Sequence, residues 1–390
     1  MSKILINIGV LFIIILSYYY NDIINFFFDI YIIEKRKESH HIETYYKICK
    51  SEKLLIKNKT FNKVEIPKIS IISPVYNRGN YILRFLRSIQ NQGFEDIEII
   101  FIDDYSTDNS VKLIEKYQKE DKRIVLLKNK RNKGTLNSRN QGVLYSKGKY
   151  IILPDPDDIL SKDILQSCYE IAIKNNYDLV RFNIYLGNDN IFFESIVNSL
   201  ENGPIYHPQI SSYLFYGKGI LQQIDFNITN KLIKRIIFIK AISTMNIYYF
   251  NLYMTNQEDG LINFLIYRNI NSYYFLKKIG YYYLPNKNSI TLNFQKNYDE
   301  TIKFIFINLI FVFENTKNNK FEKDMANCLL ERLYEGVLSE CLNLITKDFK
   351  YYIYIINQYL NNKFINRENK FKLNKLKMII INAEKKNLKK

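Results

Sequence analysis

Four continuous apolar runs, separated by stretches with helical periodicity, constrain the fold more than any other feature of the sequence. They occupy residues 68–77, 97–106, 123–129 and 149–158. Runs that are apolar at most positions, rather than at alternate positions, are typical of strands buried on both faces. The alternation of strand and helix therefore predicts an α/β fold with a mostly parallel sheet flanked by helices.

Polar side chains recur where these runs end. Tyr76 lies near the end of the first run, Asp103 and Asp104 near the end of the second, and Asp155 and Asp157 near the end of the fourth. Because parallel strands present their carboxyl ends at one edge of a sheet, where ligands of open α/β folds bind, these residues are expected in one site. Grouped carboxylates need a cation, hydrogen-bond donors or open water. The alternative is a surface turn with acids that cap helices.

Composition limits the kinds of site that are possible. The chain has 390 residues, of which 47% are hydrophobic and 24% charged, as in a globular protein. Its four cysteines show no CxxC spacing and its three histidines cannot complete a zinc site with them, so any metal is expected to be a hard ion with oxygen ligands. The net charge of +17 indicates attraction to phosphates or an anionic membrane, or only a diffuse excess of lysine. No nucleic-acid motif is present, and no nucleic-acid partner is expected.

The N-terminus differs from the rest of the chain. Residues 4–20 are apolar and uncharged, and residues 1–33 are predicted to form an uncleaved single-pass membrane anchor, followed by a linker at 34–66. A cleaved signal peptide is the alternative, although no small-x-small site follows the apolar run. The basic residues 35–37 weakly favour a cytosolic catalytic domain, with a lumenal one (ER or Golgi) as the alternative.

The segment from residue 68 to about 165 closely resembles the nucleotide-sugar-binding half of family 2 glycosyltransferases, which have the GT-A fold. The motifs that carry the resemblance keep the family's order and spacing: "ISIISPVYN", "IEIIFIDDYSTDNS", "NKGTLNSRNQG" and "YIILPDPDD". Weaker similarity extends through "TNKLIKRIIF", "NQEDGLINFLIYRN" and "YYYLPNKNSIT". The resemblance implies a GT-A domain over 67–295, with a nucleotide-sugar half at 67–165 and an acceptor half at 166–295.

The resemblance assigns donor-binding roles to residues at the strand ends. It implies that Tyr76 stacks on the base of a nucleotide sugar and that Asp104, with Asp103 beside it, binds the base or ribose. Arg139, in the "SRNQG" segment, would face the nucleotide or its diphosphate. Tyr105 stands where glycine is common in the family, which narrows the pocket or adds an aromatic wall.

Asp155 and Asp157 match the family's DxD motif. The resemblance implies that they bind Mn²⁺ or Mg²⁺ bridging the donor's diphosphate, and Asp155 would also contact the donor. Such a cation would stabilise the charge that develops on the leaving diphosphate. Pro154 and Pro156 depart from the family pattern and stiffen this loop.

A second acidic motif, "QEDG", is placed like the family's general base. The resemblance implies that Asp259 takes the proton of an acceptor hydroxyl and that Glu258 supports the loop or contacts the acceptor. The alternative is an acid pair favoured by the dipole at the start of the following helix. Nearby, Lys231, Lys234 and Arg235 are either phosphate or acceptor contacts or a solvated basic face.

These residues predict an inverting, metal-dependent glycosyltransferase that moves one sugar from a nucleotide sugar, most simply a UDP-sugar, to a hydroxyl of a glycan, lipid or protein. The chain has no Trp, so the QxxRW motif of the family's processive synthases is absent. A non-catalytic GT-A domain that binds a nucleotide sugar or glycan is the main alternative. A basic scaffold at a membrane surface is a weaker one.

The C-terminal region, residues 296–390, lies outside the resemblance. Its apolar residues recur at helical spacing, which predicts helices. Packing against the catalytic domain and docking to an acceptor or membrane are the two alternatives for it.

Overall fold

In this computed structural model, the described part of the chain comprises residues 66–188, 191–194, 202–206, 227–245 and 247–284, with single positions between 304 and 381. The chain divides into two compact units. Val64–Thr244 and Phe250–Lys390 form the larger unit, and Met1–Lys63 with Met245–Tyr249 form the smaller one. The sheet and the candidate site belong to the larger unit.

The first half of the sheet alternates strands and helices, as the apolar runs predict. Its elements are β1 (Ile69–Val75), α1 (Gly79–Gln90), β2 (Ile97–Asp103), α2 (Ser110–Glu120), β3 (Ile124–Lys128), α3 (Thr135–Tyr145) and β4 (Tyr150–Ile152).

The second half is less regular. Its elements are β5 (Ile159–Leu160), α4 (Ile164–Lys174), β6 (Leu179–Asn188), β7 (Ile191–Glu194), β8 (Gly203–Tyr206), β9 (Lys231–Lys234), α5 (Arg235–Ser243), α6 (Ile247–Phe250), α7 (Glu258–Tyr267) and β10 (Ser272–Tyr283).

The described strands form one sheet in the order β3-β2-β1-β4-β9-β6-β10-β5, with β7 beside β6 and β8 beside β10. The α/β fold is confirmed, but the sheet is mixed rather than mostly parallel. Strands β1 to β4 pair in parallel, as does β6 with β10, whereas β9 runs antiparallel between β4 and β6. Strands β5, β7 and β8 also pair antiparallel. The four antiparallel strands are two to four residues long, too short to produce the apolar runs on which the prediction was based.

The register of the parallel strands brings their carboxyl ends together. Val75 pairs with Asp103, which in turn pairs with Lys128, so β1, β2 and β3 end level with one another. Strand β4 pairs with β1 through Ile71 and Ile152, and its following loop leaves at the same edge. The core beneath this edge consists mainly of buried aliphatic and aromatic side chains from the strands and from helices α1, α2 and α4.

Among the described helices, none is both long enough and apolar enough to cross a bilayer. The predicted anchor at 1–33 and the linker at 34–66 lie almost entirely outside the described residues. The anchor, the membrane topology and the proposed domain boundaries stay predictions.

The packing of α3 on the sheet depends on the absence of a side chain at Gly142. A Cβ there would lie 2.3 Å from Cγ2 of Ile72 and 2.7 Å from Cδ1 of Ile102. We expect Gly142→Val to lower the free energy of unfolding by about 2–3 kcal/mol, because α3 must move away from β1 and β2. Urea unfolding measures this change.

Gly203→Ala is the matched control, because a Cβ at that position has open space around it. It should change the unfolding free energy by less than about 0.5 kcal/mol. Equal effects at the two positions would contradict the close approach of α3 to the sheet.

Candidate active site

The loops after β1 and β2 are tied to each other by one side chain. Asn77, which has a left-handed backbone (φ 53°), accepts hydrogen bonds on its Oδ1 from the backbone of Thr107 (2.8 Å) and Asp108 (3.3 Å). Its own N–H donates to Oγ of Ser106 at 3.0 Å. Asparagine tolerates this backbone conformation better than most residues, and its short amide suits such a turn. The two loops therefore form one structural unit.

Two aromatic side chains stand exposed on these loops. Tyr76 follows β1 and is 46% exposed, and Tyr105 follows β2 and is 55% exposed. Tyr105 has a left-handed backbone (φ 72°), where glycine is usual, so the chain places a ring at a position that disfavours one. The stacking role of Tyr76 stays a prediction.

Asp103 and Asp104 are adjacent in sequence but form hydrogen bonds with different loops. Asp103 is buried and accepts two long hydrogen bonds (3.3 Å) from the N–H of Ser106. Asp104 is also buried and accepts hydrogen bonds from the Asn129 amide and from the N–H groups of Lys133 and Gly134, each at 2.8 Å. Asp104 therefore fixes the loop that leads into α3. The predicted contact of either residue with a base or ribose stays a prediction.

Gly134 transmits this positioning to α3. It has a left-handed backbone (φ 85°), and a Cβ on it would lie 2.6 Å from the carbonyl oxygen of Met254. The next turn continues the contact, since the N–H of Leu136 donates to the same carbonyl at 3.2 Å. Only glycine can both adopt this left-handed backbone and leave room for the Met254 carbonyl oxygen. The start of α3 is thus seated directly on the segment that precedes α7.

Arg139 on α3 lies at the centre of the candidate site. Its side chain is 2% exposed and contacts three carboxylates. One terminal nitrogen donates to Asp155 at 2.8 Å, and the other donates to Glu258 at 2.6 Å and to Asp259 at 2.5 Å. The structure thus joins the two acidic motifs, which lie about a hundred residues apart, through one guanidinium. Its predicted role of facing a nucleotide or diphosphate stays a prediction.

Burial and charge shift the acidities in this cluster. Burial, with the neighbouring charge of Asp259, raises the pKa of Glu258 to about 8 against the lowering effect of Arg139. Burial likewise raises the pKa of Asp259, which Arg139 lowers and Asp155 raises. Burial lowers the pKa of Arg139, but the three carboxylates raise that pKa by more, so it lies above its ordinary value. A carboxylate with a raised pKa is a stronger base, which suits proton abstraction near neutral pH.

The second acid of the DxD motif contacts a different arginine. Oδ2 of Asp157 lies 3.2 Å from Nε of Arg78, which follows β1. Arg78 is in turn held by the carbonyl oxygens of Tyr76 (3.0 Å) and Asn77 (3.3 Å), while Arg84 donates to the carbonyl of Asp157. Arg78 was not among the predicted site residues. Its position directly after a strand end, in "YNRGN", is the signal that could have identified it.

The third acid of "PDPDD" is structural. Asp158 is 1% exposed and accepts hydrogen bonds from the Tyr281 hydroxyl at 2.6 Å and from the N–H of Leu284 at 2.9 Å. The N–H of Asp155 donates to the same hydroxyl at 3.0 Å. Burial, together with the charges of Asp157 and Asp155, raises the pKa of Asp158 well above its usual range. Tyr281 on β10 therefore fixes the loop that carries the DxD motif.

The donor set of this loop fits a hard divalent cation. Asp155 and Asp157 are partly exposed carboxylates, and Mg²⁺ and Mn²⁺ prefer oxygen ligands while keeping several waters or phosphate oxygens. Within the described ranges, no group of three or more Asp, Glu, His or Cys side chains could hold a metal ion by itself. A cation held by Asp155 and Asp157 would take its remaining ligands from water or from a bound phosphate.

The basic residues of "NKLIKR" are not one solvated face. Lys231 is fully buried, donates to the Asn230 side chain at 3.2 Å and to the carbonyl of Asn227, and helps to lower the pKa of Asp259. Lys234 pairs with Asp178 at 2.7 Å. The solvated-face alternative is therefore wrong for Lys231, which belongs to the surroundings of the acidic cluster.

Known proteins share part of this sequence and its fold. Residues 70–237 match the sequence model of the family described as Glycosyl transferase family 2. This stretch, less than half of the chain, is similar to family 2 glycosyltransferases. The glycosyltransferase GlyG of Streptococcus pneumoniae is 32% identical over 117 residues, which are 30% of this chain and 39% of that protein. The poly(ribitol-phosphate) beta-glucosyltransferase of Bacillus spizizenii is 36% identical over 115 residues, 29% of this chain and 18% of that one. The chain thus spans less than half the length of these relatives.

A solved structure shares the fold over most of the chain. The crystal structure of S. aureus TarS 1-349 in complex with UDP-GlcNAc superposes with a TM-score of 0.60 at 17% identity, covering 81% of this chain and 89% of that one. This likeness confirms the GT-A fold that the sequence motifs imply.

Removal of the central guanidinium should destabilise the protein in a pH-dependent way. Arg139→Met leaves buried carboxylates without their cation, and we expect a loss of about 3–5 kcal/mol of unfolding free energy near neutral pH. The pKa of Glu258 in the folded protein is raised to about 8. A carboxyl of this kind stabilises the folded state when the pH is below its unfolded pKa, and this contribution is lost as the pH rises through its folded pKa. The unfolding free energy lost in Arg139→Met should therefore be smaller at about pH 5 than at about pH 8, as measured by urea unfolding.

Arg123→Met provides the control. Arg123 also pairs with two carboxylates, Asp121 at 2.8 Å and Glu95 at 2.7 Å, but outside the site. It should cost about 1 kcal/mol or less. A loss in Arg139→Met that does not change with pH would contradict the assigned electrostatics.

Proposed function

We propose that the protein is an inverting glycosyltransferase that moves a single sugar from a nucleotide sugar, a UDP-sugar in the simplest case, to a hydroxyl group of an acceptor. The observation that carries this proposal is the contact of Arg139 with Asp155, Glu258 and Asp259. One guanidinium brings together the acid expected at the donor's diphosphate and the acids expected at the acceptor. Glycosyl transfer needs these two functions side by side.

In this reaction Asp259 is the general base. It would take the proton of the acceptor hydroxyl while that oxygen forms a bond to the anomeric carbon and the bond to the diphosphate breaks. Attack opposite the leaving group inverts the configuration. Glu258, which is more buried and has a pKa raised to about 8, would hold Arg139 in place rather than reach the acceptor.

Asp155 and Asp157 are the residues that would hold a divalent cation. When bound, Mn²⁺ or Mg²⁺ would stabilise the negative charge on the departing diphosphate. Arg78, beside Asp157, adds a positive charge at the same place and is suited to a phosphate oxygen.

Support for the donor class comes from the fold relatives and from the strand-end loops. TarS, which shares the fold, has been crystallised with UDP and with UDP-GlcNAc. In this chain the exposed rings of Tyr76 and Tyr105 lie on the loops where a base would stack.

A second candidate function is a GT-A domain that binds a nucleotide sugar or glycan without turnover. One observation favours it, since both acids of the DxD motif are already paired with arginines, Asp155 with Arg139 and Asp157 with Arg78. The partial exposure of both carboxylates and the presence of Asp259 favour the enzyme.

Release of nucleoside diphosphate tests the enzyme directly. The full chain would be incubated with a panel of UDP- and GDP-sugars, with Mn²⁺, with Mg²⁺ or with EDTA. We expect release from one donor that depends on the metal and falls strongly in Asp157→Asn, since this change removes a cation ligand but keeps the shape. Calorimetry on the same samples measures donor binding.

The outcomes separate the two candidates. Metal-dependent release establishes the transferase. Donor binding without release, across a broad acceptor panel, would favour the binding module. If the protein neither bound any donor nor released nucleoside diphosphate from it, both candidate functions would be refuted. Asp121→Asn, which changes a carboxylate outside the site, is the matched control and should behave like the native protein.

Asp259→Asn should separate chemistry from binding. We expect kcat to fall roughly 10²–10⁴-fold, because the base is lost, while the donor's dissociation constant stays nearly the same. Lost donor binding in this variant would mean that Asp259 has been assigned the wrong role.

The pH profile of the native enzyme gives a further check. Since the pKa of Asp259 is raised above its ordinary 3.8, kcat should fall with decreasing pH at a higher pH than an ordinary aspartate would give. If kcat instead fell only near the ordinary pKa of an aspartate, the electrostatics assigned to the cluster would be contradicted.

A further inference from the structure

We propose that Asn308, in the C-terminal region outside the family match, is a positioning residue of the active site that holds the start of helix α7 and with it the predicted base. This inference rests on the proposed function, in which Asp259 at the start of α7 abstracts the proton. It gives the C-terminal region a role in the reaction itself.

The start of α7 is held weakly by its own residues. Gln257, which precedes the helix, has a left-handed backbone (φ 62°) and makes no side-chain capping hydrogen bond. A residue with a Cβ is strained in this conformation. The next two residues are Glu258 and Asp259, so any change in the backbone at Gln257 moves both carboxylates.

Asn308 provides the support that the helix lacks. Its side-chain amide donates to the carbonyl oxygen of Gln257 at 2.6 Å. The same carbonyl accepts a hydrogen bond from the N–H of Gly260 at 3.2 Å, which closes the first turn of α7. The bond from Asn308 therefore acts on the peptide group whose orientation sets the entry of the chain into the helix.

Packing fixes Asn308 in this place. Phe304, Asn308 and Phe311 are all helical and all buried, and their spacing puts them on one helical face. The ring of Phe311 packs edge-to-face on Phe264 of α7, with centroids 6.0 Å apart. The amide thus approaches Gln257 from a face that is already bound to α7.

The amide of Asn308 is poorly explained by stability alone. Its Oδ1 is buried and makes no hydrogen bond within the part of the chain that is described. An unsatisfied buried acceptor costs about as much free energy as the bond on the other side of the amide gains. A leucine of similar size would avoid that cost, so the group is better explained by the orientation it imposes on Gln257.

The experiment is a set of four full-length variants: Asn308→Leu, Gln257→Gly, the two combined, and Asn269→Leu. Glycine adopts a left-handed backbone without strain, so Gln257→Gly should make the start of α7 less dependent on Asn308. Asn269→Leu is the matched control, because the Asn269 amide also donates to a backbone carbonyl of α7, that of Leu265 at 2.7 Å, but at the far end of the helix.

In the donor-release assay, Asn308→Leu should lower kcat roughly tenfold to a hundredfold, because small misplacements of a catalytic group are costly. The KM for the donor should change little, since the donor loops are untouched. In the Gln257→Gly background the same change should lower kcat by a clearly smaller factor, and Asn269→Leu should leave kcat near the native value. Native kcat in Asn308→Leu, an equal loss in Asn269→Leu, or no rescue by Gln257→Gly would overturn the proposal.

Hydrogen–deuterium exchange separates this inference from the proposed function. Asn308→Leu should speed exchange of the amides of residues 258–260, whereas Asn269→Leu should not. If the native protein released no nucleoside diphosphate from any donor, the proposed function would fail, and the exchange result would decide the positioning on its own. Unchanged exchange in Asn308→Leu would overturn it.

Discussion

The contact of one buried guanidinium with three carboxylates is the interaction on which the rest of the site depends. Asp155 comes from the loop after β4, Glu258 and Asp259 from the start of α7, and Arg139 from α3. Three negative charges around one positive charge are not balanced, and burial makes the imbalance more costly. Burial is the main cause of the raised pKa of Glu258 and of Asp259, and repulsion between the carboxylates adds to it. The same excess of negative charge makes the site receptive to a cation and strengthens a carboxylate as a base.

The scaffold around this cluster exists to place its members within hydrogen-bond distance of one another. Asp104 fixes the loop before α3, and Gly134 seats that helix on the backbone of Met254. On the opposite side, Tyr281 holds Asp158 and the N–H of Asp155. Most of these contacts are directional hydrogen bonds to backbone groups, whereas the cluster adds the attraction between charges, which has no preferred direction. Precise placement and electrostatic tuning are therefore supplied by different residues.

The sequence predicted the strands β1 to β4 and the meeting of their carboxyl ends at one edge of the sheet. It also pointed to Asp155, Glu258 and Asp259 as site residues. It could not predict which partner each acid would take. An arginine is complementary to a phosphate and to a carboxylate alike, so Arg139 gave no sign that it would be occupied by carboxylates. Adjacent residues at the end of a strand point in opposite directions, which is why Asp103 and Asp104 serve different loops. The antiparallel strands and Asn308 lay beyond prediction because they depend on pairings distant in sequence.

The close seat of Gly134 on Met254 has a consequence for protein engineering. The loop 129–134 borders the site, and a library of variants there would be an obvious route to altered donor preference. Gly134 has no room for any side chain, and Asn129 is buried against Asp104. Lys130 and Arg131 are exposed. Randomisation confined to these two positions would vary the charge at the mouth of the site by as much as four units while leaving the geometry of α3 intact, since either basic residue can become acidic.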